Sequence, residues 1–178
     1  MVIRWTRFNI YFLAGAMLAL APGCHTEEAK TKKQRSTLLL KGEMNPDPMG
    51  HTDQISVNRQ HPVKFTVSKD PFLTEAHVKE AKVVDAVGGF ALRIQFGRQG
   101  SWLLEQLTNS ERGKHIAIFS QWTDPPETKI NQGRWLAAPR IVAQIKDGVL
   151  TFTPDATRYE AEQIARGLNN VAKKLETE

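Results

Sequence analysis

Residues able to carry out acid–base, nucleophilic or metal chemistry are scattered along this sequence rather than grouped. The chain has five histidines, at positions 25, 51, 61, 77 and 115. Their spacing matches no common ligand pattern, although His77 and Glu80 are three residues apart, as a metal-binding pair on a helix would be. No third ligand accompanies them, so a solvated helix face explains the pair more simply. His115 begins an apolar stretch, which favours a structural role.

Motifs for covalent or phosphate chemistry are also missing from the sequence. It contains no serine-nucleophile elbow and no zinc-type cysteine pair. Residues 97–100, Gly-Arg-Gln-Gly, could open a phosphate site at a helix start, but the P-loop lysine and hydroxyl are absent. The carboxylates at positions 70, 75, 80 and 85 show no sign of the burial that acid–base catalysis requires. We therefore expect no catalytic residue, no bound metal and no cofactor.

The N-terminus has the pattern of an export signal. Arg4 and Arg7 precede an apolar run over residues 8–21, and the first acidic residue is Glu27. A run of this length suits a signal peptide, because a membrane-spanning helix needs about 20 apolar residues. We predict a signal peptide of the lipoprotein type over residues 1–23.

Cys24, the only cysteine in the chain, follows this run directly. Residues 20–24, Leu-Ala-Pro-Gly-Cys, resemble a bacterial lipobox, in which the cysteine is lipidated and becomes the mature N-terminus. The leucine lies four residues before Cys24 rather than three, so two alternatives stay open: ordinary cleavage after Ala21, and an uncleaved anchor. A single cysteine excludes an intramolecular disulfide. Lipidation of Cys24 would hold the protein in the bacterial cell envelope, facing the periplasm.

Residues 24–35 are polar and basic, which predicts a flexible tether between the lipid and the folded part. The formal charge of the whole chain is +5, and removal of residues 1–23 would leave +3. Four basic residues of the tether, at positions 30, 32, 33 and 35, suit contact with anionic lipid head groups. The modest remaining charge argues against a nucleic-acid partner.

Residues 36–178 alternate between strand and helix patterns, and we predict a single α+β domain. Phe90, Leu92, Ile94 and Phe96 lie two apart, as in a strand with one buried face. A helix follows over 101–112, and a capping box at Thr157–Glu160 begins a second one. Asp147-Gly148 predicts a hairpin turn joining strands at 136–145 and 149–153. Two amphipathic helices on one face of a mainly antiparallel sheet make a two-layer sandwich.

The segment 120–133 is the feature of this domain best suited to recognition. It is polar and contains Trp122, Pro125 and Pro126, which predicts a long loop. Trp122 could form a recognition tip on a protruding hairpin, or it could fold back to cover the core. The sequence does not decide between these two. The remaining tryptophans at positions 102 and 135 are expected in the core or at its edge.

The order of motifs resembles the head subdomain of the first periplasmic domain of SecD, in the SecDF protein-export family. The resemblance covers about residues 62–175. It rests on residues that recur in the family's order: Pro71, Leu73, Thr74, Ala81, Val83, Gly100, Leu107, Thr108, Gly113, Lys114, Ile116, Ala117, Ile118, Ala138, Pro139, Thr157, Ala161, Ile164, Ala165 and Leu168. It implies a binding domain that contacts exported or unfolded polypeptide.

Two departures limit what this resemblance implies. The family has a short turn where this chain carries residues 120–133, and SecD couples its head to the proton gradient through transmembrane helices that this sequence does not show after its signal. The expected function is therefore a lipid-anchored, non-catalytic module that binds a protein or an extended polypeptide. A scaffolding lipoprotein is the alternative, and an envelope enzyme with an unrecognised site is a third.

Overall fold

A computed structural model describes residues 34–123 and 131–177. Within these ranges the chain forms nine strands, two α-helices and a 3-10 turn at Glu75–His77. The strands are β1 (Ser36–Gly42), β2 (Thr52–Val57), β3 (Val63–Ser68), β4 (Leu73–Thr74), β5 (Val78–Ala86), β6 (Gly89–Phe96), β7 (Ile116–Thr123), β8 (Asn131–Ala137) and β9 (Val149–Phe152). The helices are α1 (Arg98–Ser110) and α2 (Arg158–Glu176).

The largest sheet has four antiparallel strands in the order β4-β1-β7-β8. Alternation places Leu38 and Leu40 of β1, with Ile116 and Ile118 of β7, in the main core, where none is more than 2% exposed. The same alternation continues through Ser120 to Trp122. Ser120 is tolerated at a fully buried position because its hydroxyl donates a hydrogen bond of 2.8 Å to the carbonyl of Thr37.

A second antiparallel sheet has the order β5-β6-β9 and supplies the other wall of the core. The predicted hairpin at Asp147-Gly148 is wrong, because residues 138–148 form no strand and β9 pairs with β6 instead. Several hydrogen bonds hold this segment against other elements, and two of them involve Ile145 and Gly148. Ile145 N donates to the hydroxyl of Thr108 over 3.0 Å, and Gly148 O accepts from Phe96 N over 2.9 Å.

Helix α1 packs Leu104 and Thr108 into the core, four residues apart on one face. The Thr108 hydroxyl donates to the carbonyl of Leu104 over 2.7 Å, which satisfies it inside the core. Trp102 lies on the other side and is 56% exposed. The expectation that Trp102 lies in the core or at its edge is therefore wrong, because Leu104 occupies the inward position on this helix.

Helix α2 begins as predicted. The Thr157 hydroxyl accepts a hydrogen bond of 3.2 Å from Glu160 N, and the Glu160 carboxylate accepts one of 2.7 Å from Thr157 N. Its apolar stripe contributes Ile164 and Leu168 to the main core, both fully buried. The helix packs on strands of both sheets, β1 and β7 of one and β5 and β6 of the other, and so joins them.

Strands β2 and β3 form a separate hairpin that lies over the opposite face of the four-stranded sheet. Ile55, Val57 and Val67 of the hairpin pack with Ala117 of β7 in a second small core. Because both faces of the β7 region are covered, residues 116–118 are all buried.

The prediction of an α+β sandwich is confirmed, with antiparallel sheets and two helices. The strands divide into three sheets rather than one. The predicted signal peptide over 1–23, Cys24, nearly all of the tether, and Pro125 and Pro126 lie outside the described residues. Among the residues that are described, no helix is long and apolar enough to cross a membrane.

Candidate functional site

Trp122 is a core residue rather than a recognition tip. It lies in β7, is 1% exposed and belongs to the main core. The segment read as a loop over 120–133 is strand as far as Thr123 and again from Asn131, with Trp122 opposite Gln132. The guanidinium of Arg134 covers its ring at 4.9 Å. Of the two alternatives for this tryptophan, the structure supports packing in the core.

Trp122 and Ser36, which lie opposite each other on β7 and β1, each carry a buried polar group. The Nε1 of Trp122 and the hydroxyl of Ser36 have no hydrogen-bond partner among the described residues. A buried polar group without a partner costs stability, typically about 1–3 kcal/mol.

Several of the histidines and carboxylates singled out in the sequence have partners within the fold. His77 Nδ1 accepts from Thr74 N over 3.2 Å, whereas the Glu80 carboxylate pairs with Lys82 at 2.8 Å. His115 lies 2.7 Å from a carboxylate oxygen of Glu43. Across the described ranges, no three His, Cys, Asp or Glu side chains are placed to share a metal ion.

A groove of about 640 Å³ is the best candidate for a binding site in the described part of the chain. Three segments line it: residues 57–60 at the turn of the β2–β3 hairpin, residues 136–139 at the end of β8, and residues 152–157 between β9 and α2. Three apolar residues border it, Leu136, Phe152 and Pro154, and all three are buried. The volume is within the range of ordinary ligand sites, about 300–1,000 Å³.

The groove lies beside strand edges. β8 is an outer strand of the four-stranded sheet, and β9 is an outer strand of the three-stranded sheet. One hydrogen bond of 2.7 Å, from Asp155 N to Leu136 O, already joins the β8 edge to the loop after β9. An outer strand can pair with a further extended segment.

The outer edge of β5 is closed by contrast. The side-chain amide of Asn169 in α2 accepts a hydrogen bond of 2.8 Å from Ala81 N and donates one of 2.9 Å to Ala81 O. One amide thus occupies both backbone groups of an edge residue, which blocks pairing there. This leaves the β8 and β9 side as the more accessible one for strand addition.

An ion pair stands at one end of the groove. Arg59 Nη2 lies 3.1 Å from a carboxylate oxygen of Asp155, and Arg59 N donates to the same carboxylate over 2.9 Å. Partial burial raises the pKa of Asp155, but hydrogen bonds from Arg59 and the charges of Arg59 and Arg134 outweigh it, so the pKa is lowered. The hydrogen bond to Asp155 raises the pKa of Arg59. Both groups are charged at neutral pH.

A second ion pair connects β8 to α2. Arg134 Nη2 lies 2.6 Å from the Glu160 carboxylate, and both side chains are less than one-fifth exposed. Partial burial raises the pKa of Glu160, but the hydrogen bond from Thr157 N and the charge of Arg134 outweigh it and lower the pKa. The guanidinium of Arg134 therefore contacts the Trp122 ring with its flat face and Glu160, at the start of α2, with its Nη2 edge.

These two carboxylates predict acid sensitivity. A carboxyl group with a lowered folded-state pKa stabilises the fold above its unfolded-state pKa, which is about 4, and loses that contribution as the pH falls through its folded-state pKa. We expect the free energy of unfolding to fall as the pH drops below about 4. Urea unfolding at several pH values measures this, and the double variant Asp155→Asn, Glu160→Gln should show a shallower fall. Equal slopes for the two proteins would contradict the assignment.

Comparison with known proteins supports the resemblance noted in the sequence. The family model described as SecDF, P1 head subdomain, matches residues 52–172, a range that also takes in β2. A solved structure of "a membrane component SecDF that enhances protein export" aligns with a TM-score of 0.53 and 20% identity. The alignment covers 80% of this chain and 66% of that one, which is less than two thirds of its length.

A second solved structure, of SecDF in a "Super-membrane-facing form", aligns with a TM-score of 0.54 and 22% identity. The alignment covers 80% of this chain and 20% of the SecDF chain. Likenesses at these identities show the fold alone. No curated protein sequence matches the chain at a significant level.

Proposed function

The chain belongs to the SecDF P1 head subdomain family, and on that premise we propose that it is a non-catalytic module that binds extended or unfolded polypeptide at the bacterial cell envelope. The observation that carries the proposal is the groove between the end of β8 and the β9–α2 loop. A matched solved structure is of a component that "enhances protein export", which fits a polypeptide ligand.

The chemistry of the groove suits an extended chain. The apolar residues that border the groove, Leu136, Phe152 and Pro154, are buried, so the groove offers no deep apolar pocket that would demand one sequence. The outer strands β8 and β9 offer main-chain groups, which every polypeptide can pair with. Arg59 and Asp155 at one end present both signs of charge. This combination favours affinity for unfolded polypeptide with little sequence selectivity.

The same groove is poorly suited to catalysis. A general acid or base works best when its pKa lies near the operating pH. The pKa of Asp155 is instead lowered, and its oxygens are occupied by Arg59, so it neither takes up nor releases a proton near neutral pH. The groove therefore supports binding without chemistry at this site.

A tryptophan placed in the groove provides the test. Thr153 is exposed and lines the groove, so Thr153→Trp should fill it without disturbing the core. We expect this variant of the full chain to bind a reduced, alkylated and permanently unfolded polypeptide at least tenfold more weakly, measured by fluorescence anisotropy. Thr151→Trp is the matched control, since Thr151 is exposed in β9, two residues before Thr153, but does not line the groove.

The outcomes separate the alternatives. Equal binding by Thr153→Trp and the unchanged protein would remove the groove from the proposal. No binding of unfolded polypeptide by any form would instead favour a scaffolding role, in which the domain only spaces or joins other envelope components.

We further propose that lipidation of Cys24 anchors the protein to a membrane. The support is the sequence alone: an apolar run of signal length followed by a lipobox-like segment ending in Cys24. In cells, Cys24→Ala should release the protein from the membrane fraction and abolish the mass added by the lipid. Retention of Cys24→Ala in the membrane fraction would contradict the anchor and leave an uncleaved segment as the explanation.

A further inference from the structure

The tether meets the folded domain on α2. The carbonyl of Gln34 accepts a hydrogen bond of 2.9 Å from the side-chain amide of Asn170. Arg35 is equally close to the helix, because a Cβ at Gly167 would lie 2.8 Å from its carbonyl carbon. Gln34 Nε2 also donates to Thr123 O over 3.2 Å. The point at which the chain enters the domain is therefore fixed on α2, beside the end of β7.

Exposed cations flank this entry point. Arg166 lies four residues before Asn170 and Lys173 lies three residues after it, so all three share one side of α2 within about 10 Å along its axis. Arg166, Lys173, Lys174 and Arg35 are all exposed. Arg35, Arg166 and Lys173 make no ion pair with a carboxylate among the described residues. We call these four cations the basic patch.

Acidic residues lie at the margins of the basic patch rather than within it. Glu162 is one helical turn before Arg166, and Glu176 is three residues after Lys173; both are exposed. The positive charge is therefore concentrated where the tether enters the domain. At physiological salt such a charge acts over about 8 Å. An anionic partner must approach the entry point itself to be attracted.

The length of the tether brings one anionic partner to that point. With lipid on Cys24, ten residues join the anchor to Gln34 and span at most about 35 Å. The basic patch lies at the folded end of this short connection, so the membrane surface is always within its reach. Tethering raises the effective concentration of a second contact, which lets weak electrostatic attraction suffice. Clusters of Lys and Arg close to an anchor are attracted by anionic lipids.

We propose that the basic patch docks on anionic phospholipid head groups of the membrane that holds the chain, so that the domain rests on the surface with this side of α2. This inference rests on the proposed membrane anchor, whether that anchor is lipid on Cys24 or an uncleaved segment. It adds a second contact, made by the folded domain, and gives the domain a defined orientation.

Docking in this way leaves the groove open to polypeptide. Thr157, just before α2, lines the groove and lies thirteen residues from Asn170, about 20 Å along the helix. Strand β8 likewise begins opposite Thr123, beside the entry point, and reaches the groove at Leu136. Both elements lead from the basic patch to the groove. A docked domain therefore holds its groove at a distance from the lipid.

The test uses the full chain, purified from membranes and incorporated into lipid nanodiscs. The nanodiscs consist of phosphatidylcholine alone, or of phosphatidylcholine and phosphatidylglycerol in a three-to-one ratio. A trace lipid with a gadolinium head group broadens the amide signals of nearby residues in the ¹⁵N-labelled chain. We expect the signals of residues 166–174 to lose at least half their intensity with phosphatidylglycerol and to keep it in phosphatidylcholine alone. Signals of residues 157–160 should keep their intensity in both.

The double variant Arg166→Gln, Lys173→Gln should lose this broadening. Lys64→Gln, Arg112→Gln is the matched control, because it removes two exposed cations outside α2, and it should behave as the unchanged protein does. Absent broadening, or equal broadening in the two lipid compositions or in the double variant, would overturn the proposal and leave the basic patch to an anionic protein partner. Failure of the full chain to stay in nanodiscs would overturn the anchor as well. Thr153→Trp should leave the broadening unaltered, which separates this result from polypeptide binding in the groove.

Discussion

Replacement of Trp122 by alanine is expected to lower the free energy of unfolding by about 3–5 kcal/mol, the usual cost of removing a large buried aromatic side chain. The side chain is 1% exposed and packs in the core between the two sheets and α2. The substitution would also remove the surface that Arg134 covers at 4.9 Å. Urea unfolding monitored by circular dichroism measures the loss.

Two further variants separate packing from hydrogen bonding. Trp122→Phe keeps most of the apolar surface and removes the Nε1 proton that has no partner among the described residues, so its cost should stay below about 1.5 kcal/mol. Trp102→Ala removes the same side chain from an exposed position, where we expect a change within about 0.5 kcal/mol. A loss for Trp122→Ala no greater than that for Trp102→Ala would contradict its place in the core.

Gly167→Val should destabilise the protein far more than a change on the exposed face of α2. A Cβ at Gly167 would lie 2.1 Å from the Ser36 hydroxyl, 2.7 Å from Ser36 N and 2.8 Å from the Arg35 carbonyl carbon. Two of these are backbone atoms, so rotation of a side chain cannot relieve the contact. Overpacking of this kind costs about 1–3 kcal/mol, and a valine belongs at the upper end. The gain in helix propensity over glycine is only about 0.5 kcal/mol, so the steric cost prevails.

Arg166→Val is the control for Gly167→Val, because Arg166 is the preceding residue of α2 and is exposed. It places the same side chain on the same helix without contact with β1, and should change the free energy of unfolding by less than about 0.5 kcal/mol. Ser36→Ala should not rescue Gly167→Val, since the backbone nitrogen of Ser36 remains. Similar stabilities for the two valine variants would show that α2 does not approach β1 this closely.

The elements with strong local patterns could be predicted from the sequence. The alternation from Phe90 to Phe96 gave β6 its correct face, and the Thr157–Glu160 capping box placed the start of α2. The prediction of a loop over 120–133 is wrong at both ends of the segment, because polar residues there alternate with buried ones along β7. Ser120 appears polar in sequence but is fully buried, since a partner on β1 satisfies its hydroxyl. That partner cannot be recognised from local sequence.

The groove could not be predicted for the same physical reason. Its lining combines residues near positions 57, 136 and 152, which approach one another only when the hairpin, β8 and β9 have assembled. Arg59 and Asp155 are 96 residues apart, and neither has a local neighbour that marks it.

We propose that the groove beside β8 binds extended polypeptide, and amide NMR of the ¹⁵N-labelled full chain tests this binding most directly. The titrant is a reduced, alkylated and permanently unfolded polypeptide, with the native form of the same polypeptide as the control. We predict that the unfolded form alone shifts the amide resonances of residues 58–60, 136–138, 153 and 155–157, and that Thr153→Trp abolishes the shifts. Shifts confined to other surfaces, or equal shifts with the native form, would contradict the account.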